Sequence, residues 1–172
     1  LERIYETVDT PVTIHDAPDA VPLENVRGRV DFNDVTFGYE PGMTVLEHFD
    51  QHVRPGEKIA LVGPTGAGKT TVISLLTRFY DVGEGSVEVD GHDVRSLTLH
   101  SLRKEIGVLM QEPFIFKGSI IENIRYGTPE ATDEQCIAAA EAIYCDRVAA
   151  RFPEGYYACL GERGEGLSSG EK

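Results

Sequence analysis

Eight consecutive residues, Gly63-Pro64-Thr65-Gly66-Ala67-Gly68-Lys69-Thr70, set three glycines, a lysine and a hydroxyl in the order GxxxxGK[ST]. Each residue type has a task in that order. Glycines let the backbone wrap until successive N–H groups point inward at one acceptor, which makes a nest for an anion. A helix opening near Gly68 adds the positive end of its dipole. The Lys69 ammonium reaches the β- and γ-phosphates of a nucleotide as a point charge, and the Thr70 hydroxyl suits a ligand of Mg²⁺. A glycine-rich turn that binds nothing could share the pattern, so the flanks decide. They place the loop between an apolar strand and an amphipathic helix, as a phosphate loop requires.

The elements that must position this loop can be read outward from it. Residues 58–62 form a short, almost wholly apolar run, expected to be a strand covered on both faces. Val72, Leu75, Leu76 and Phe79 lie on one face of a helix expected over 71–80. Upstream, residues 30–37 alternate as a strand ending at Gly38, Pro41 and Gly42 turn the chain, and two short strands are expected at 45–49 and 51–53. Downstream, residues 86–89 alternate and turn at Asp90 and Gly91, which is antiparallel in character. A helix is expected over 97–105 and a second buried strand over 106–110. After Gly118 the texture becomes helical, over 119–125 and 132–152, and Thr132 with Gln135 forms a capping box.

The expected fold is α/β: a nucleoside triphosphatase core with a phosphate loop, a small antiparallel β-subdomain and a helical subdomain. Four stretches follow: 1–9 as the last turns of a helix begun upstream, 10–29 as a Pro-, Asp- and Ala-rich linker, 30–117 as a partial α/β core, and 118–172 as the helical part. The chain begins without Met and ends without a recognisable tail, so it reads as a fragment.

With 172 residues, 41% of them hydrophobic, the chain can close a core. Lys+Arg 16 against Asp+Glu 29 leaves a net charge of -13, which repels nucleic acid and anionic membrane, so any phosphate site must be built locally. No membrane-length apolar run is present, and the chain as given reads as soluble. Cys136, Cys145 and Cys159 lack disulfide or zinc spacing; they read as small buried hydrophobes and point to a reducing compartment. The five histidines, His15, His48, His52, His92 and His100, lack ligand spacing and read as surface or turn residues.

The phosphate loop does not choose among kinases, GTPases and transport ATPases; later residues do. With them the sequence resembles the nucleotide-binding domain of ATP-binding cassette (ABC) transporters, and more closely exporter half-transporters whose ATPase follows a membrane domain in one chain. The resemblance rests on five ordered features. Tyr39 falls where the family stacks an aromatic on adenine. The loop 63–70 follows, and the resemblance extends nucleotide contact to Thr71. Gln111, ahead of Glu112 and Pro113, stands at the family's Q-loop, where a neutral amide touches Mg²⁺ and the attacking water. Gly161-Glu162-Arg163-Gly164 resembles an exporter loop that meets the membrane helices, and reads equally as a solvated turn.

The fifth feature, Leu167-Ser168-Ser169-Gly170-Glu171, sits where the family carries its LSGGQ signature, which caps the γ-phosphate held by the opposite subunit. Ser168 and Gly170 keep the pattern. Ser169 replaces a glycine and Glu171 a glutamine, which leaves a working variant signature or a degenerate half-site. The resemblance implies an export ATPase that holds Mg²⁺ and ATP between two such modules, with Lys69 and Gln111 in catalysis and Thr70 and Gln111 on the metal. The implied partners are a second nucleotide-binding domain, in a homo- or heterodimer, and the membrane domain of the same chain through its coupling helices, at the cytoplasmic face of a membrane; nucleic acid is excluded. Phe114, Ile115 and Phe116 are candidates to seat a coupling helix or to fill the subdomain core.

No apolar run ending in Asp-Glu occurs between Gly83 and Lys172, and no switch histidine is assigned. The chain alone is therefore expected to bind ATP weakly, to hydrolyse it negligibly and to expose apolar edges at 58–62 and 106–110. A regulatory or degenerate half of a heterodimeric ABC transporter is the alternative. A soluble kinase or GTPase would want an arginine-rich lid or an Asn-Lys-x-Asp guanine reader, and no Asn-Lys pair occurs.

Overall fold

The computed structural model describes residues 11–110, 114–168 and 170–171. The upstream helix expected at 1–9 lies outside them. Two compact units divide the chain, Leu1–Gly107 and Val108–Lys172.

The first unit is organised by strand β1 (Val30–Phe37), which pairs antiparallel with β2 (Leu46–Val53) on one side and β3 (Glu84–Val89) on the other. The short β4 (His92–Asp93) extends the order to β2-β1-β3-β4. A bulge between Phe32 and Val35, where Asp34 adopts φ 49°, lets β1 turn Phe32, Val35 and Phe37 all into the core, where they meet Val87, Val89 and Leu46. Helix α1 (Lys69–Leu76) lays Val72 and Leu75 on the same core, and α2 (Leu99–Lys104) adds Leu102. Asp90 and Gly91 both carry positive φ, 51° and 83°, as a two-residue hairpin turn demands.

Several expectations change here. The two short strands read at 45–49 and 51–53 are the single β2: Asp50 does not break it but accepts the Asp34 N–H at 2.9 Å. The expected helix 71–80 stops at Leu76, because the Thr77 hydroxyl folds back on the Ile73 carbonyl and Arg78 turns left-handed at φ 51°. The helix expected over 97–105 opens only at Leu99. Residues 58–62 and 106–110 are not strands; Val62 is 91% exposed and Leu109 93%. A parallel strand needs a hydrogen-bonded neighbour, and among the described residues neither run has one.

The stretch read as a linker is laid along the first unit. Asp90 accepts N–H groups of Arg27, Gly28 and Arg29, at 2.6, 3.2 and 2.9 Å. Burial alone would raise the Asp90 carboxyl; those three donors more than offset it and hold the group below its ordinary value. Val21 bridges Leu97, Leu23 is buried and donates its N–H to Ser101 Oγ, and Asp16 accepts the N–H that opens α2 at Leu99.

The second unit contains α3 (Ile120–Arg125), α4 (Asp133–Ala142), α5 (Asp146–Ala149) and a strand pair, β5 (Gly118–Ser119) with β6 (Cys159–Leu160). The strand pair is too short to show as a periodic pattern. The capping box at Thr132 and Gln135 forms as expected, and a second one, Ser119 with Glu122, opens α3. The helix read continuously over 132–152 breaks after Ala142, where Tyr144 adopts φ 63°. Cys159 is exposed, unlike the buried Cys136, because β6 turns it away from Ala158 and Leu160 in the core. No helix among the described residues is long and apolar enough to cross a membrane.

Candidate functional site

The loop 63–70 is shaped by a backbone only glycine tolerates at its end. Gly68, the residue before α1, sits at φ 80°, and a Cβ there would lie 2.7 Å from Leu46 Cδ2. Glycine suits the dihedral angle, and a Cβ would also push the end of the Leu46 side chain aside. Gly66, at φ 86°, supplies a second left-handed turn, and Ala67 donates to the Pro64 carbonyl at 3.2 Å. The Lys69 ammonium folds back on the loop, donating to the Gly63 and Pro64 carbonyls at 2.8 and 2.7 Å. Among the described residues no backbone hydrogen bond takes up the amides of Thr65, Gly66 or Gly68. An ammonium and unpaired amides at the opening of α1 form a donor set suited to a polyphosphate, and the exposed Thr70 stands next in line for its cation.

Tyr39 lies past the end of β1, half exposed, with its ring edge-on to Phe37 and to Tyr80 at 5.0 Å each. Its hydroxyl pairs with Thr71 Oγ1 at 3.1 Å, and Thr71 is buried in α1. That hydrogen bond ties the aromatic to the helix that leaves the loop, so Tyr39 offers a face held by three neighbours. The cleft of about 410 Å³ beside it is lined by Glu40, Met43, Asp81 and Glu84 and by no residue of the loop. Its carboxylates exclude a phosphate tail; the loop itself is the better seat for one. Tyr80, which completes the aromatic group, escaped the sequence reading because it was assigned to the end of a helix.

In the second unit, Ser168 is exposed and donates both its N–H and its hydroxyl to Glu171 Oε2, at 2.8 and 2.6 Å. The other carboxylate oxygen accepts from Arg151 Nη1. Hydrogen bonding to Arg151 and then to Ser168 lowers the Glu171 carboxyl to about 2. Leu167 packs on Ile120, Ala158 and Leu160, which anchors this stretch to the core of its unit. Gly164, at φ 70°, follows the left-handed Arg163 and presses against Ile115. Gln111 and Ser169 lie outside the described residues.

Phe114, Phe116 and Tyr126 form an exposed aromatic group, with Phe116 stacked 4.4 Å from Tyr126, whereas Ile115 enters the core. Of the 114–116 stretch, only Ile115 fills the subdomain core, and the two phenylalanines stay exposed. Two histidines take partners that the sequence did not announce: His52 bonds to the buried Asp31, which Arg29 also holds, and His48 bonds to Asp34. The His52 pairing follows from the β1–β2 register, which sets Asp31 opposite His52. Among the described residues no group of three or more His, Cys, Asp or Glu side chains could hold a metal ion.

Comparison with known proteins adds an independent line. A family profile described as "ABC transporter" matches residues 46–172. The chain is 43% identical over 171 residues to the uncharacterized ABC transporter ATP-binding protein YfiC of Bacillus subtilis, covering 99% of this chain and 28% of that protein. It is 42% identical to the fatty acid ABC transporter ATP-binding/permease protein of Mycobacterium bovis, covering 99% of this chain and 27% of that one. It is 43% identical to the mitochondrial iron-sulfur clusters transporter atm1 of Aspergillus fumigatus, covering all of this chain and 24% of that protein. The chain thus spans about a quarter of the length of these relatives. A solved structure, of a bacterial Atm1-family ABC exporter with ATP bound, superposes with a TM-score of 0.90 at 38% identity, over 99% of this chain and 30% of that one.

Proposed function

The chain belongs to the ABC transporter family, and from that premise we propose that it is the front part of an exporter's ATP-binding module, which docks ATP on the loop 63–70 and closes on a second module. The observation that carries this reading is the loop itself: a left-handed Gly68 wedged against Leu46 opens α1 and sets Lys69 beside unpaired amides. Tyr39 takes the adenine face. Thr70 and Gln111 would hold Mg²⁺, which would supply positive charge to offset that of the phosphates.

Lys69 moves from the Gly63 and Pro64 carbonyls to the β- and γ-phosphates, exchanging two neutral acceptors for charged ones, which gives the stronger hydrogen bonds. Loop amides and Lys69 then stabilise negative charge as the γ-phosphoryl group leaves. Ser168 and Gly170 cap the phosphate bound by the opposite module. ATP favours the closed pair because only the closed pair makes both sets of contacts, and this difference in affinity drives the attached membrane domain. The exposed Phe114 and Phe116 offer that domain an aromatic seat. Between Gly83 and Lys172 no apolar run ends in Asp-Glu, and Gln111 is the residue of this stretch read as touching the attacking water.

Calorimetry of the full-length polypeptide tests the reading. Magnesium-dependent ATP uptake that is lost in Lys69→Ala is the expected result; no uptake in the unaltered protein overturns it. Ser168→Arg should abolish coupled turnover while leaving ATP bound to the loop.

A further inference from the structure

The stretch 167–171 poses a physical difficulty for any role at a nucleotide. Glu171 stands three residues from Ser168, and an uncompensated carboxylate there repels the polyanion that Ser168 is meant to meet. The structure contains the compensation. Arg151, just before Phe152 of the core cluster, donates Nη1 to Glu171 Oε1, while Oε2 accepts both the N–H and the hydroxyl of Ser168. All three side chains are in one unit, and Glu171 is the more covered partner of the ion pair, 23% exposed against 54% for Arg151.

We propose that Arg151 is a positioning residue for the signature: its guanidinium cancels the charge of Glu171 and pins that carboxylate so that it caps Ser168 instead of facing the incoming triphosphate. The proposal rests on the reading of 167–171 as the signature and adds the residue on which this variant depends. The arrangement is a tight turn, with the Glu171 N–H donating to the Ser168 carbonyl at 3.0 Å and its carboxylate taking the N–H and hydroxyl of Ser168, and a cation is attached to that acid. In such a turn the backbone N–H of Ser168 keeps its acceptor. The Ser168 hydroxyl, which keeps its proton, can turn its hydrogen bond from an acid already committed to Arg151 to a more strongly charged phosphate oxygen. The hydrogen bonds from Arg151 and then from Ser168 lower the Glu171 carboxyl to about 2.

A glutamine at 171 would cap Ser168 through its neutral amide oxygen and would need no cation. Arg151 should therefore matter only while position 171 is an acid. The test is a double-mutant cycle on the full-length polypeptide, reading the ATP concentration that half-saturates turnover and, separately, kcat. In the Glu171 background, Arg151→Met is expected to raise the half-saturating concentration about tenfold, the effect of one uncompensated charge at close range. Raised ionic strength should reduce that loss, and Arg151→Lys, which keeps the charge, should retain most of the affinity. In the Glu171→Gln background, Arg151→Met should change it less than about twofold.

An equal loss in both backgrounds, or none in either, overturns the proposal, since a purely structural arginine would act regardless of residue 171. Ser168→Arg is the control for the underlying reading. If it leaves ATP dependence unchanged, 167–171 is not the signature and both ideas fall. If it abolishes ATP-driven turnover while the cycle shows no coupling, only the role of Arg151 falls.

Discussion

The loop 63–70 and the stretch 167–171 are both short, glycine-bearing segments read as binding phosphate, yet they are held by opposite means. In the first, the backbone is the device: Gly68 is left-handed, meets Leu46 across a gap no side chain would fit, and sets α1 in motion. In the second, side chains are the device: Arg151, Glu171 and Ser168 form a relay of charge-assisted hydrogen bonds over a modest apolar anchor, Leu167. A segment shaped by its backbone tolerates no change at its glycines. One shaped by side chains can exchange residues, provided that charge is conserved across the set. The departure of Ser169 and Glu171 from the family pattern falls in the segment where exchange is possible.

The contrast can be broken most forcefully at Gly68. Gly68→Ala adds a Cβ in a left-handed position and in contact with Leu46, a strain of about 3 kcal/mol; thermal unfolding of the chain should fall by several degrees and ATP binding should vanish. A fully stable, nucleotide-binding variant would mean the loop is not a rigid backbone device. Lys69→Met removes one charge-assisted contact, so ATP affinity by calorimetry should fall roughly 30- to 100-fold with little change in melting temperature. Equal losses in stability and affinity would contradict a purely functional lysine.

Tyr39→Ala should weaken adenine nucleotides by roughly tenfold, a typical stacking contribution, and Tyr39→Phe by much less, because the ring is retained and only the hydrogen bond to Thr71 is lost. The smallest effect is expected at the turn that ties the strap 11–29 to the sheet. Asp90→Ala removes the acceptor of three backbone N–H groups and should cost about 1 kcal/mol in denaturant unfolding. The sign with pH follows from the lowered carboxyl: this contribution is complete above the ordinary value of 3.8 and is lost as pH falls through the depressed one. Proteolysis within 11–29 should therefore quicken in acid, and less so in Asp90→Ala, where the contribution is already gone.

The ease of reading the sequence followed the same division. The glycine turn at 63–68 and the start of a helix after it could be read from residue type alone, because the left-handed backbone at Gly66 and Gly68 favours glycine. β1, the hairpin at Asp90 and the box at Thr132 were equally plain, since each depends on neighbours in sequence. What could not be read depends on neighbours in space. Residues 58–62 and 106–110 have the composition of buried strands, but hydrogen bonds from adjacent strands make a strand, and composition cannot supply them. The Arg151 relay spans twenty residues, and its arginine lies in a stretch expected to be helix; nothing periodic connects the two. Tyr80 was hidden because the helix after the loop ends early, at a threonine that bonds to its own preceding turn.

The side chain of Arg78 is almost wholly buried, and its guanidinium donates to the carbonyl of His15, to that of Leu97 and to the carboxylate of Asp81. Arg78 lies two residues past the end of the helix that begins at Lys69, and Arg103 donates to the carbonyls of Thr77 and Arg78. Tension applied ahead of residue 15 therefore meets a rivet: the strap cannot be drawn away without stranding a cation that has little water to replace its lost acceptor. Force arriving along the strap is delivered to the tail of the helix whose head meets the loop 63–70, which makes that helix a stiff rod between a tether and that loop.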